Sequence, residues 1–168
     1  MRLIGKGIYL LFCIIALSQF GCSTNPSPIS ASLNRNAELV GDLPVNPLRW
    51  RVITSTNDQS TATMATLFGN DSAVEYARSH PQTDYPAGSA ICLVTWTQRE
   101  DPRWFGAEIP DRVRSVEFIT VAAGPNGRPT LTYEDYQGTP LKKVSAPEGG
   151  APAERTAYLL SLRAAVMP

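Results

Sequence analysis

The chain has 168 residues, in which 15 Lys and Arg balance 15 Asp and Glu, so its formal net charge is zero. Nucleic-acid-binding proteins present a clustered excess of basic side chains, and this balance therefore predicts no nucleic-acid partner. Fourteen prolines and 12 glycines indicate many turns, which disfavours a helical bundle. A single histidine excludes zinc and iron sites that need several imidazole ligands, and we expect no metal site.

Residues 1–21 have the pattern of a bacterial export signal. A short basic region precedes an apolar run over residues 8–17, which is too short to span a bilayer comfortably. The run leads to Gly21 and Cys22, which resemble the lipobox of bacterial lipoproteins, whose cysteine becomes the acylated N-terminus. Gln19 departs from the lipobox, which usually carries Leu, Val or Ile there, so conventional signal cleavage stays the alternative to lipidation of Cys22.

The residues after the cysteine predict a location and a domain organisation. Ser23, rather than Asp, follows Cys22, which favours the outer membrane by the usual bacterial sorting pattern. We therefore expect a periplasmic lipoprotein of the cell envelope, anchored to the outer membrane through its N-terminal lipid. Residues 22–32 are rich in Ser and Pro and predict a flexible tether. Residues 33–168 are expected to fold as one domain with a core of ordinary size.

The first half of this domain has weak but readable periodicity. Apolar residues recur at helical spacing over residues 31–40, which predicts a short helix ended by Gly41. Residues 50–54 alternate after a proline-rich turn region and predict a strand, and residues 62–68 predict another.

The middle of the chain predicts a helix followed by the clearest strand. Ser72 and Glu75 have capping-box spacing, which predicts a helix from Ser72 to about residue 79. Residues 89–97 carry apolar side chains on both faces, as is typical of a central strand. Cys92 lies in this strand, and a lone thiol in apolar surroundings is typical of an inert core residue rather than a nucleophile.

The last third predicts a hairpin and a helix. Residues 112–122 form a second strand with apolar side chains on both faces, and the turn residues 124–129 join it to a strand over residues 130–133. Residues 152–166 predict an amphipathic helix docked on the sheet. The predicted fold class is therefore α+β, a mainly antiparallel β-sheet with short flanking helices.

Candidate site residues are few, and no catalytic residue is assigned. Glu117 places a carboxylate in an apolar strand, either on a solvated face, which is favoured, or in a pocket. Glu117 and four aromatic residues are candidates for the lining of an apolar ligand cavity, with core filling as the alternative for the aromatics. These four are Tyr85, Trp96, Trp104 and Phe105. His80 has no neighbouring Cys or second His, and we interpret it as a helix-end residue.

Several short motifs, taken together, resemble the cytochrome P-460 family in order and spacing. They are FGND (68–71), YPAGS (85–89), VTW (94–96), WFGA (104–107), IP (109–110) and VEF (116–118). The resemblance covers about residues 43–144 and implies a mainly antiparallel sheet with flanking helices and periplasmic export. It also implies that haem-bearing relatives oxidise hydroxylamine with a c-type haem held by C-x-x-C-H near the C-terminus and cross-linked to a lysine.

This chain departs from the family where the haem would be attached. It contains no C-x-x-C-H motif, which excludes covalent c-type haem, and residues 147–150 and a Leu-rich helix stand in the corresponding region. We therefore expect a P-460-like scaffold that has lost its haem and has no cofactor. Non-covalent haem, held by His80 or by a non-histidine ligand, stays open.

Three functional hypotheses follow. The first is a haem-free ligand-binding or structural module, whose former haem cavity is filled by Leu159, Leu162 and aromatic side chains or holds a small apolar ligand. The second is an oxidoreductase that acts on hydroxylamine or nitric oxide with non-covalent haem. The third is an envelope protein that binds another protein, which an exposed apolar patch at Trp104 and Phe105 would favour. A homodimer is compatible with each hypothesis.

Overall fold

The computed structural model describes residues 33–80, 83–144 and 153–165. These residues contain a six-stranded antiparallel sheet in which strands adjacent in sequence are paired, and two short helices flank it. The strands are β1 (Arg51–Asp58), β2 (Thr63–Gly69), β3 (Ala90–Glu100), β4 (Glu108–Ala123), β5 (Pro129–Gln137) and β6 (Lys142–Lys143), and the helices are α1 (Asp71–Ser79) and α2 (Ala153–Ser161).

The predicted α+β class is confirmed, and so are the four main strands. Strands β1 to β4 cover the predicted segments 50–54, 62–68, 89–97 and 112–122 almost completely, and β4 and β5 form the predicted hairpin. The predicted export signal, the predicted lipidation site Cys22 and the predicted tether lie outside the described residues.

Strand β3 is central, as its apolar side chains on both faces predict. It pairs with β2 on one side and with β4 on the other. Leu93 and Ile119 are buried on the sheet face that α1 and α2 cover, called here the helical face. Cys92, Val94 and Phe118 are buried on the opposite face. Each fully buried side chain of this size contributes roughly 1.5–3 kcal/mol to folding.

The helical face is covered by the apolar stripes of the two helices. Ala73 and Val74 of α1 and Leu159 of α2 are fully buried there. The predicted docked helix near the C-terminus is confirmed, although it ends at Ser161 rather than continuing through the next residues. Beyond it, the Ala165 N–H donates to the Ile53 carbonyl, which ties the end of the described chain to β1.

The opposite face is covered by an irregular segment, residues 33–50, called here the strap. Leu39, Leu43 and Trp50 of the strap pack against the buried cluster on this face, which we call the strap face. The indole N–H of Trp96 donates to the Ala37 carbonyl at 3.0 Å. The two sheet faces are therefore closed by different means, one by helices and the other by extended chain.

The predicted helix over residues 31–40 is wrong in its described part. Only one 3-10 turn, Arg35–Ala37, forms there, and extended chain follows it. The Asn34 side chain donates to a β4 carbonyl, so long-range polar contacts take the place of a local helix. Gly41 does not end a helix. It has φ +152° and bridges to Leu141, whose backbone would collide with any added Cβ atom.

Helix α1 begins one residue before the predicted capping box. Its N-cap is Asn70, whose side-chain oxygen accepts hydrogen bonds from the N–H groups of Ala73 at 3.0 Å and Ala90 at 3.2 Å. The Asn70 amide also donates to the Gly88 carbonyl at 2.8 Å. Ser72, the predicted cap, lies inside the helix. Asn70 therefore joins the start of α1 to the start of β3 with one side chain.

We expect Asn70→Ala to lower the free energy of unfolding by about 1–2 kcal/mol, because it removes a helix cap and two further hydrogen bonds. Glu75→Ala, at an exposed position of the same helix, is the matched control and should change the free energy of unfolding by less than about 0.5 kcal/mol. Urea denaturation of the two variants measures both values. Equal losses would show that the Asn70 cap has no special weight.

Candidate functional site

The five candidate pocket residues lie in three separate places. Tyr85 and Glu117 are buried on the helical face, with 4 % exposure each, and Trp96 is buried on the strap face. Trp104 and Phe105 lie between β3 and β4 and are exposed by 71 % and 110 %. The structure therefore does not bring the five side chains together around one cavity.

Glu117 lies in the middle of the sheet, between Leu93 of β3 and Asp135 of β5. Its carboxylate accepts two hydrogen bonds from Arg155 of α2, from Nε to Oε1 at 2.8 Å and from Nη2 to Oε2 at 2.5 Å. The Tyr133 hydroxyl donates to the same Oε1 at 2.6 Å. The favoured sequence interpretation, a solvated carboxylate, is wrong, because Glu117 is buried and paired.

The pair between Glu117 and Arg155 holds a helix to the sheet. A two-pronged guanidinium–carboxylate contact is among the stronger charge-assisted hydrogen bonds. The Glu117 side chain is 5 % exposed and that of Arg155 39 %, so the guanidinium forms a partly solvated cover over the carboxylate. The Arg155 guanidinium also lies 5.0 Å from the ring centroid of Tyr158. We call Glu117, Arg155 and Tyr133 the Glu117 clamp.

The clamp changes the acidity of the groups within it. Hydrogen bonding to Glu117 raises the pKa of Arg155, which stays fully charged. Burial raises the pKa of Tyr133, and the hydrogen bond to Glu117 raises it further, so this hydroxyl keeps its proton. Both carboxylate oxygens of Glu117 are thus occupied by permanent donors. Such a carboxylate is poorly suited to general-base work, which needs a free oxygen.

Asp135 is the least compensated acidic group beside the clamp. Its Oδ2 accepts from Gln137 Nε2 at 2.7 Å, whereas its Oδ1 is buried without a hydrogen-bond partner among the described residues. Burial raises the pKa of Asp135, and the charge of Glu117 raises it further against the lowering effect of the Gln137 bond. Two neighbouring carboxylates on one face therefore differ in role, because the guanidinium pairs with only one of them.

The surroundings of Cys92 and His80 indicate structural rather than catalytic roles. Burial raises the pKa of the Cys92 thiol strongly, with a smaller contribution from Glu117, so the thiolate form is suppressed. His80 is exposed at the end of α1, where its ring stacks on Tyr76 with centroids 4.5 Å apart. Its Nδ1 lies 2.8 Å from the hydroxyl of Ser79.

These surroundings do not fit a haem site on the helical face. The one imidazole of the chain is at the surface and packed against Tyr76 rather than aimed between the helices and the sheet. Leu159 is fully buried on that face, and Leu162 packs beside it. Among the described residues, this face therefore offers haem no imidazole ligand.

The exposed aromatic pair is at the end of a two-stranded arm. β2 pairs with β3 only as far as Thr97, and β5 pairs with β4 only from Ser115. Beyond both limits only β3 and β4 remain paired, from Gln98 and Pro110 outward, so residues 98–110 extend beyond the rest of the sheet. Residues 101–107 form the tip of this arm. The hydrogen bond from the Asp101 N–H to the Ala107 carbonyl, at 2.9 Å, closes the tip.

A shallow surface hollow of about 260 Å³ lies between the strap and β4. Its lining includes the buried Leu141, the exposed Val40 and the charged residues Arg35, Glu38 and Arg112. It shares no residue with the Glu117 clamp or with the predicted pocket residues. This hollow therefore does not bring together the residues predicted to line a ligand pocket.

Sequence reasoning named Glu117 but missed its partners. Arg155 is four residues before Leu159 and therefore shares the buried stripe of α2, which is the signal that could have identified it. Tyr133 and Asp135 alternate on one face of β5. Their position beside Glu117 depends on the register of the hairpin, which turn residues alone do not fix.

We expect Arg155→Met to lower the free energy of unfolding by about 2–3 kcal/mol, less than for a fully buried pair because Arg155 is partly exposed. Loss of the guanidinium leaves the Glu117 charge buried without its counter-ion. The double variant Glu117→Leu/Arg155→Met should regain most of that loss, since the Glu117 charge that lost its counter-ion is also removed. Urea denaturation of both singles and the double gives the coupling, and additive effects would contradict the clamp.

Asp135→Asn should stabilise the protein at pH 7. The raised pKa means that Asp135 favours the folded state only when protonated, so its contribution is greatest below the unfolded pKa near 3.9 and is lost as pH rises through the folded value. The gain from the substitution should therefore vanish in acid. Thermal unfolding from pH 3 to pH 8 tests this, and Glu154→Gln, on the exposed start of α2, is the control.

Among the described residues, no group of three or more His, Cys, Asp or Glu side chains is placed to hold a metal ion. No helix in the described ranges is long and apolar enough to cross a membrane. Comparison of the chain with protein-family models found no match, and comparison with curated proteins found none either. The resemblance to the cytochrome P-460 family therefore rests on the sequence motifs alone.

Proposed function

We propose that this chain is a haem-free module of the bacterial envelope, exported and anchored by a lipid on Cys22. It acts by binding another surface rather than by catalysing a reaction. The observation that carries the proposal is the Glu117 clamp. Glu117, the one acidic residue in the buried class among the described residues, is paired with a guanidinium and a tyrosine of the same chain, so it supports the fold and is closed to a substrate.

The packing of α2 supports the haem-free part of the proposal. In the P-460 resemblance, the C-terminal region is where a haem would be attached. Here Leu159 is fully buried in the core of the helical face, beside the partly buried Leu162. This packing favours a filled cavity over one that holds an apolar ligand. The P-460-like ancestry of the scaffold is part of the proposal and depends on the sequence motifs.

The exposed aromatic residues of the arm support a role in binding. Soluble proteins seldom display two neighbouring large aromatic side chains with most of their surface in water, and such patches commonly mark interaction sites. Trp104 and Phe105 are the most exposed large apolar residues of the described chain. They are held on an ordered turn, which makes them available without a change of fold.

The anchor is tested by the mass of the mature chain from bacterial envelopes. We expect a chain that begins at Cys22 and carries the acyl chains of a lipoprotein. Cys22→Ala should abolish this modification, whereas Cys92→Ala, the matched control, should keep it because Cys92 is buried in the fold. An unmodified wild-type chain cleaved at another position would overturn the lipid anchor.

The haem-free proposal is tested on the same full chain by its absorption spectrum and a pyridine-haemochrome assay, after expression with an active haem-export system. We expect only tryptophan and tyrosine absorption. A stoichiometric Soret band that shifts in His80→Ala would instead support an oxidoreductase with non-covalent haem. Arg78→Ala, in the same last turn of α1, is the control for that shift.

A further inference from the structure

We propose that the tip of the arm lies in the surface of the lipid bilayer that holds the chain, with Trp104 and Phe105 among the lipid headgroups. This inference rests on the lipid anchor of the proposed function and adds the partner of the exposed tip. It follows from how the tip is built, from where the strap joins the arm, and from the length of the tether.

The tip displays its aromatic side chains on a fixed turn. Asp101 Oδ1 accepts from the Arg103 N–H at 2.8 Å, and the Ala107 N–H donates to the Trp104 carbonyl at 3.1 Å. Gly106 has φ +76°, a conformation that favours glycine, with open space around it. The hydrogen-bonded turn therefore holds Trp104 and Phe105 in exposed positions.

The folded unit begins beside the same arm. The Asn34 amide donates to the Pro110 carbonyl, and Arg99 Nη2 lies 3.5 Å from Asn34 Oδ1. Arg99 and Ile109 are paired across the arm, so the chain enters at the level of that pair. From there to Trp104 is about five residues of extended chain, or roughly 15 Å.

The tether is long enough for the tip to reach the bilayer. Residues 22–32 would span at most about 40 Å when fully extended, and a flexible chain of that length has a root-mean-square end-to-end distance near 18 Å. Both values exceed the distance from the chain entry to the tip. A tether of this length therefore lets the tip of a domain anchored at Cys22 reach the membrane, where the anchor keeps its effective concentration high.

The chemistry of the tip fits a zwitterionic lipid surface. Tryptophan is enriched at membrane–water interfaces, where its ring is embedded and its N–H stays hydrated. Residues 100–108 contain three acidic side chains and one basic side chain, Arg103, which gives a local charge of −2. Anionic lipids would therefore not strengthen the contact. The aromatic pair, rather than charge, provides the attraction.

The experiment uses the full acylated chain, inserted through its own lipid into phosphatidylethanolamine/phosphatidylcholine vesicles that contain brominated acyl chains. Bromine quenches tryptophans that enter the bilayer. We expect the Trp104 emission to shift to the blue and to be mostly lost. Trp104→Phe should abolish the lipid-dependent quenching, because Trp96 is buried and Trp50 is half-buried within the domain.

Variants separate the tip from other exposed apolar residues. Phe105→Ser should reduce the quenching of Trp104, since it removes half of the inserted pair. Leu48→Ser and Leu131→Ser change exposed residues at the far end of the sheet and should leave the quenching unchanged. Added anionic lipid should not increase the quenching.

Two results would overturn the inference while the anchor stands. The first is that Trp104 stays open to the aqueous quencher acrylamide and unaffected by brominated lipid, which would place the tip in water. Alternatively, it could be shielded from acrylamide without quenching by lipid, increasingly so at higher protein density, which would assign the tip to a second copy of the chain. If the mature chain proves to be unacylated, the anchor fails, and the same quenching measured with free chain and vesicles decides the tip alone.

Discussion

One buried negative charge organises the helical side of this protein. Glu117 is in the interior of the sheet, where an unpaired carboxylate would oppose folding strongly. Its counter-ion comes from α2, 38 residues later in the chain, so the sheet cannot be neutralised at this position until the helix is docked. Leu159 is buried by the same docking event. Neutralisation of the Glu117 charge and burial of the apolar stripe of α2 are therefore coupled. The neighbouring Asp135 carboxylate gains no counter-ion from α2 and is not stabilised by its docking.

Local patterns predicted the sheet well because the residues of each strand and turn themselves show which structure they form. The central position of β3 follows from apolar side chains on both of its faces, and the turn residues 124–129 are sufficient for the β4–β5 hairpin. The predicted helix in the strap was wrong because hydrogen bonds to distant residues of the sheet determine the strap's conformation. The Asn34 amide donates to a β4 carbonyl, and the Ala37 carbonyl accepts a hydrogen bond from the indole N–H of Trp96, 59 residues away. A short run of helical spacing is easily overridden by contacts of this kind.

The site was predictable only in part, and for the same reason. A lone carboxylate in an apolar strand identified Glu117, but burial and exposure of such a residue produce the same local pattern. What decides between them is the arginine on a distant helix. The aromatic candidates were chosen by residue type, and the fold distributes them between two faces and an exposed tip. The family resemblance depends on short motifs that also serve plain structural needs here, since Asn70 of the FGND motif caps a helix.

If the chain is held at its N-terminus, as proposed, the strap has a mechanical consequence. Tension along the N-terminal chain enters the folded unit at Asn34, which is fastened to the arm, and then acts on the strap before it reaches β1 at the edge of the sheet. The strap is held by a few separate hydrogen bonds and by side-chain packing, which yield one after another. Pulling would therefore peel the strap and wet Phe118 and Trp50 while the strand ladder remained paired. In a chain anchored as proposed, the strap would therefore yield before the sheet does.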